Sequence, residues 1–97
     1  MRVILHPGAE RDLFEAAAFY ESEASPALAG RFIMEFERVV KLVVANPGLG
    51  TPRARGRRGF PTPGFPYTVV YREVPDGIIV LVVKHDRRRP NFGVSRA

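Results

Sequence analysis

The sequence predicts an α+β domain in which an antiparallel helical hairpin packs on a small, mostly antiparallel sheet, in the order β-α-α-β-β-β. Three observations predict it. A short β-branched run at the start breaks at a proline; two stretches of helical periodicity follow with a short link between them; and two apolar runs near the end flank a turn tripeptide. A chain of 97 residues suits one domain over residues 1–97, able to bury roughly 60–65 % of its unfolded surface.

Val3-Ile4-Leu5 is bounded by His6-Pro7-Gly8 and reads as a strand that stops at the proline, with His6 ending the strand and opening the helix. From Ala9 the apolar positions Leu13, Ala16, Ala17 and Tyr20 follow helical spacing, and Glu10, Arg11, Asp12, Glu15 and Glu21 occupy the remaining faces. Ser25-Pro26 is a start signal, a hydroxyl cap followed by the one residue that fits the first helical position without losing a bond. The series Ala29, Phe32, Ile33, Phe36, Val39, Val40, Val43 then runs to Asn46-Pro47-Gly48, with Glu37 and Lys41 spaced for an ion pair on the outer face.

Asn46-Pro47-Gly48-Leu49-Gly50-Thr51-Pro52 reads as a loop, and residues 53–60 as an edge strand or a basic loop weakened by glycine. Pro61, Pro63 and Pro66 keep the chain extended up to Tyr67. Residues 68–74 and 78–83 flank Pro75-Asp76-Gly77 and form a hairpin. The second of these strands is apolar on both faces and belongs inside the sheet. Such a layer leaves the sheet face opposite the helices for a partner, with an arginine-rich tail at its rim.

The net charge of +5 is unevenly distributed. Residues 1–48 carry five Lys/Arg against seven Asp/Glu, and residues 49–97 carry ten against three, so the excess positive charge lies wholly in the second half. Only Lys41 and Lys84 are lysine; the other cations are arginine, whose planar fork binds oxyanions bidentately. A basic half of this kind favours a nucleic acid or an acidic protein segment. Arg53, Arg55, Arg57, Arg58, Arg72, Arg87 and Arg89, with Phe92, are the candidate target-binding residues.

Other classes fall away. The chain has no cysteine and two histidines, so disulfides and a zinc site of ordinary spacing are excluded, and no metal or other cofactor is expected. No phosphate-binding glycine motif follows a strand, and no helix-turn-helix reads as a base reader, so sequence-specific DNA binding by this chain alone is not expected. Met1-Arg2-Val3-Ile4-Leu5-His6-Pro7 holds no signal-peptide core, and no stretch approaches the roughly 18 apolar residues of a membrane span. A soluble cytoplasmic protein is the expectation.

Six local patterns occur in a telling order: His6-Pro7-Gly8-Ala9, Glu15-Ala16-Ala17-Ala18-Phe19-Tyr20-Glu21, Leu28-Ala29-Gly30-Arg31-Phe32, Asn46-Pro47-Gly48-Leu49-Gly50, Phe65-Pro66-Tyr67-Thr68-Val69-Val70-Tyr71 and His85-Asp86-Arg87-Arg88-Arg89-Pro90-Asn91-Phe92. Together they resemble the RelE/ParE superfamily of type II toxins, in its ParE-like branch, over nearly the whole chain. The resemblance implies a cytoplasmic toxin neutralised by a cognate antitoxin. It implies one of two activities: binding and inhibiting DNA gyrase, as ParE-like members do, or cutting mRNA on the ribosome, as RelE-like members do.

Metal-free RNA cleavage needs a proton acceptor, a proton donor and cations for the crowded phosphorane. By the resemblance, Arg88 falls where RelE-type nucleases place a supporting tail arginine, and His85 is the candidate acid–base group, histidine being the commonest residue in that role. Two features of that site are replaced. Thr68 stands where the nucleases carry a strand arginine, and Phe92 stands where they carry a tail tyrosine; Arg72, four residues along the strand, lies more than about 10 Å from Thr68. His85 also suits a structural role at a strand end, Phe92 an anchor on the domain's own core, and Tyr67 and Tyr71 a shared core or antitoxin-facing side. A binding inhibitor is therefore favoured, and the uncovered apolar surface of so small a domain predicts a tight antitoxin complex.

Overall fold

A computed structural model describes residues 1–97. Strand β1 (Arg2–Leu5) leads into helices α1 (Pro7–Glu23) and α2 (Pro26–Ala45), followed by β2 (Thr51–Pro52), β3 (Arg57–Pro61), β4 (Tyr67–Val74) and β5 (Gly77–His85). The sheet order is β1-β5-β4-β3-β2. All pairings are antiparallel except β1 with β5, since both helices lie between those strands in the chain. No helix is long and apolar enough to cross a membrane.

Both helix starts form as their sequences predict. His6 caps α1 through Nδ1, which accepts from the Gly8 N–H at 2.9 Å, and Pro7 occupies the first turn. Ser25 caps α2 through its hydroxyl oxygen, which accepts from the Leu28 N–H at 3.1 Å. The apolar stripes Leu13 and Ala16 of α1, and Phe32, Phe36, Val39 and Val43 of α2, are buried in one cluster with Val69, Tyr71, Ile78, Val80 and Val83 of the sheet. The Glu37–Lys41 pair does not form. Glu35 instead pairs with Arg38 at 3.5 Å, an exposed contact of small energetic weight.

A bulge in β5 determines how the sheet ends. Val70 pairs with Val82 and Tyr71 with Val80, which leaves Leu81 as an extra residue. Ile78, Val80 and Val83 therefore pack on the helix side, whereas Leu81 and Val82 both pack on the opposite, outer side.

The segment between α2 and β4 is more regular than its composition suggests. Residues 46–52 contain a 3₁₀ turn, Pro47–Leu49, and the short edge strand β2. Tyr71, 1 % exposed, organises this connection. Its hydroxyl donates to the Pro47 carbonyl at 2.7 Å and accepts from the Gly50 N–H at 2.9 Å. Gly50 is required here, because a Cβ would come within 2.7 Å of that hydroxyl. Tyr71→Phe should cost about 1–3 kcal/mol, the penalty of two backbone groups left without their partner, read as a lower urea midpoint with an unchanged slope. The 53–60 segment divides at Arg55 and Gly56, both at positive φ (64° and 71°), before becoming β3.

Two further expectations are corrected. Asp12 is not on an exposed polar face; it is 8 % exposed. It accepts from the Val83 N–H at 3.0 Å and binds both terminal nitrogens of Arg96, at 2.6 and 3.2 Å. The outer sheet face is not left open either. Residues past Pro90 fold back across it, Phe92 packs on the Val70, Leu81 and Val82 cluster, and Gly93, at φ 75°, lies so close to Val82 that a Cβ would come within 2.6 Å. Arg96 then donates to the Leu81 carbonyl at 2.9 Å, occupying the edge of β5 beyond its pairing with β1.

Candidate macromolecule-binding surface

Strand alternation sends the last two residues of β5 in opposite directions, and the bulge at Leu81 fixes which goes where. His85 lies on the helix side and Lys84 on the outer side. A groove of about 600 Å³ opens on the helix side between α1 and the end of β5, lined by Asp12, Ala16, Tyr20, Tyr67, His85 and Arg88 among others. An aromatic cluster backs its Tyr20 and Tyr67 wall: buried Phe32 lies 5.4 Å from Tyr20, 5.2 Å from Phe65 and 5.1 Å from Tyr67, centroid to centroid. Phe19, 56 % exposed, stands on the rim of the groove.

The chemistry of this groove favours recognition over proton transfer. Nδ1 of His85 accepts from the Arg87 N–H at 3.0 Å, and its ring stands edge-on to Tyr67 at 5.1 Å, so one ring nitrogen is engaged in shaping the tail turn. Burial raises the Tyr20 phenol above its usual range, and burial and Tyr20 together raise Tyr67 against a lowering effect of Arg88. Both phenols are thus neutral donors at neutral pH. The Arg88 guanidinium sits over the Phe92 ring at 4.7 Å. Thr68 donates its hydroxyl to Asp86 at 2.8 Å.

The predicted arginines do not form one patch. Arg57 is 8 % exposed and donates to the carbonyls of Gly93 at 3.1 Å and Val94 at 3.0 Å, and also to that of Arg96, so it fastens the tail and has no free face for a target. Desolvation first, then Arg55, Arg72 and Arg96, lower its pKa. Arg58 projects to the other side of β3 and donates to the Gly50 carbonyl at 2.9 Å. Arg55 makes a single exposed contact with the Val94 carbonyl at 3.2 Å. Arg53, Arg87 and Arg89 are exposed and Arg72 is half-buried. Phe92 is half-buried, held between its own sheet and the guanidinium groups of Arg88 and Arg96, the latter at 5.2 Å.

His85 and Arg88 do meet, in the groove, while Arg53 and Arg57 line a separate cavity behind the tail. Tyr20, Tyr67 and Phe19 are groove residues; the sequence read Tyr20 as an apolar helix position and Tyr67 as core or antitoxin-facing, and gave Phe19 no role. Their signal was the Phe19-Tyr20 pair at the end of an alanine run, where one aromatic is inside and its neighbour outside.

Comparison with known proteins agrees with this architecture. Residues 3–90 match the family model described as the ParE toxin of the type II toxin–antitoxin system, parDE. Toxin ParE2, from two strains of Mycobacterium tuberculosis, is 30 % identical over 90 residues, covering 93 % of this chain and 86 % of that protein. A solved structure described as the chromosomal ParDE TA system from P. aeruginosa superposes with a TM-score of 0.77 at 24 % identity, covering 88 % of this chain and 95 % of that one. The helical hairpin, the sheet and their order are shared with it. Family model, relative and fold agree: the chain belongs to the ParE toxin family of type II toxin–antitoxin systems.

Proposed function

We propose that this ParE-family chain acts in the cytoplasm by binding DNA gyrase and blocking it, and that a cognate antitoxin silences it. The observation that carries this reading is the condition of the tail. It is a structured strap that presents Arg87 and Arg89 to solvent on a rigid base, while His85 is engaged by backbone and Phe92 lacks a hydroxyl. Cations without an assembled acid–base pair suit steering and gripping an acidic surface; mRNA cleavage asks for more. The apolar groove along α1, edged by exposed Phe19, suits an amphipathic or extended antitoxin segment carrying acidic residues toward Arg88.

The test is a gyrase supercoiling assay run beside an mRNA integrity assay in a translating extract, with one preparation of the chain. Supercoiling should stop and message should stay intact. Arg87→Ala combined with Arg89→Ala should weaken inhibition roughly three- to tenfold, as expected for exposed charges at the rim of an interface. Cleaved message with unimpaired gyrase would assign the ribosomal activity instead, and an Arg88→Ala variant would then lose cleavage by orders of magnitude.

A further inference from the structure

On the outer face of the sheet, a cavity of about 250 Å³ lies between β4, β5, the Ala54–Gly56 turn and the folded-back tail. Val70, Val82 and Phe92 give it an apolar wall, and its charged lining is Arg53, Arg57 and Lys84 with no carboxylate. Lys84 is the unusual member. It is 6 % exposed, takes part in none of the chain's ion pairs, and its ammonium has one long contact, 3.5 Å to the carbonyl of His85.

Lys84 lines the cavity with a single long protein contact for its ammonium, so an anionic acceptor bound there gains a charge-assisted bond. The nearby acids are committed elsewhere: Asp86 accepts from Thr68, and Asp12 serves Arg96 and the Val83 N–H. Arg57 cannot relieve the imbalance, since its donors go to tail carbonyls and it adds its own charge. Arg53 crosses Gly59, where a Cβ would come within 2.6 Å of its Nε, so the glycine lets this exposed arginine lie flat against the sheet at the cavity. Three cations thus converge on one hollow that holds no anion of the protein's own.

We propose that this cavity binds a phosphate group, with the Lys84 ammonium donating to it from below and Arg53 closing on it from the rim. A tetrahedral oxyanion offers several acceptors at once to donors converging from different strands, where a planar carboxylate satisfies a single fork. The cavity lies below the roughly 300 Å³ at which small-molecule clefts begin, so it takes a group, not a large ligand. Free phosphate and the phosphodiester of a nucleic acid strand share this chemistry.

The experiment is an NMR titration of the full, isotope-labelled chain with sodium phosphate at an ionic strength held constant with chloride. The amides of Arg53, Val82 and Lys84 should shift saturably. Lys84→Met, which keeps the buried stem, should weaken binding at least about tenfold, the loss expected for a charge-assisted bond in a desolvated site. Arg53→Gln changes an exposed residue, should leave the fold intact, and should weaken binding several-fold. A short oligothymidylate that displaces phosphate from these amides identifies the strand phosphodiester as the ligand; one that leaves them unmoved identifies free phosphate. Shifts that chloride reproduces, shifts that never saturate, or an Arg53→Gln chain that binds as the wild type would overturn the proposal.

Discussion

Arg96→Ala should destabilise the isolated chain by about 3–5 kcal/mol, because it strands Asp12 as a buried charge without its counterion. The Asp12 side chain is 6 % exposed and that of Arg96 16 %, and the two are joined by contacts of 2.6 and 3.2 Å. The same arginine also satisfies the Leu81 carbonyl at 2.9 Å, so its removal opens the edge of β5 as well. Against a total stability of roughly 5–15 kcal/mol for a domain of this kind, such a loss brings the chain close to unfolding. Urea denaturation should show it as a lowered midpoint. Pairing the change with Asp12→Asn should recover part of the loss, since no buried charge then remains uncompensated. A stability within about 0.5 kcal/mol of the parent would mean that solvent reaches Asp12.

Phe32→Ala should cost a comparable amount, about 3–5 kcal/mol, through lost burial and the cavity left behind. Phe32 is fully buried and touches Tyr20, Phe65 and Tyr67 at once. Two of those partners form the groove, so the effect extends beyond stability: the wall that carries Tyr20 and Tyr67 loses its backing. Phe32→Leu, closer in volume, should cost less than about 1.5 kcal/mol. Thermal unfolding gives the stabilities, with roughly 4–8 °C expected per kcal/mol for a domain of this size. The Tyr20 and Tyr67 ring resonances report the groove directly.

How legible this molecule was in its sequence depends on the range of the interaction involved. Ser25-Pro26 and His6-Pro7 were readable because a cap acts over two or three residues. The apolar stripe of α2 and the hairpin around Pro75-Asp76-Gly77 were readable for a similar reason, their periodicity and turn chemistry being local. Asp12 was misplaced on a solvated face because its partner lies 84 residues away, and nothing near it in the chain announces a buried aspartate. The fold-back of the tail, and with it the diversion of Arg57 from target to tail carbonyls, was hidden by the same distance. Within the site, the arginine richness was plain but its division between two sheet faces was not. That division depends on strand parity through Arg57, Arg58 and the bulge, and a run such as Ile78-Ile79-Val80-Leu81-Val82-Val83 carries no mark where alternation slips.

The bulge at Leu81 makes strand register, not side-chain identity, the variable that assigns chemistry to the two sides of this protein. With Leu81 present, an imidazole borders the α1 groove and an ammonium borders the hollow beneath the tail. Were the same residues paired without the bulge, with Leu81 opposite Val70, the Lys-His dipeptide would deliver the ammonium to the aromatic groove and the imidazole to the arginines. A one-residue slip of register in an otherwise featureless apolar stretch is thus enough to exchange what each face offers a partner, with every functional residue retained.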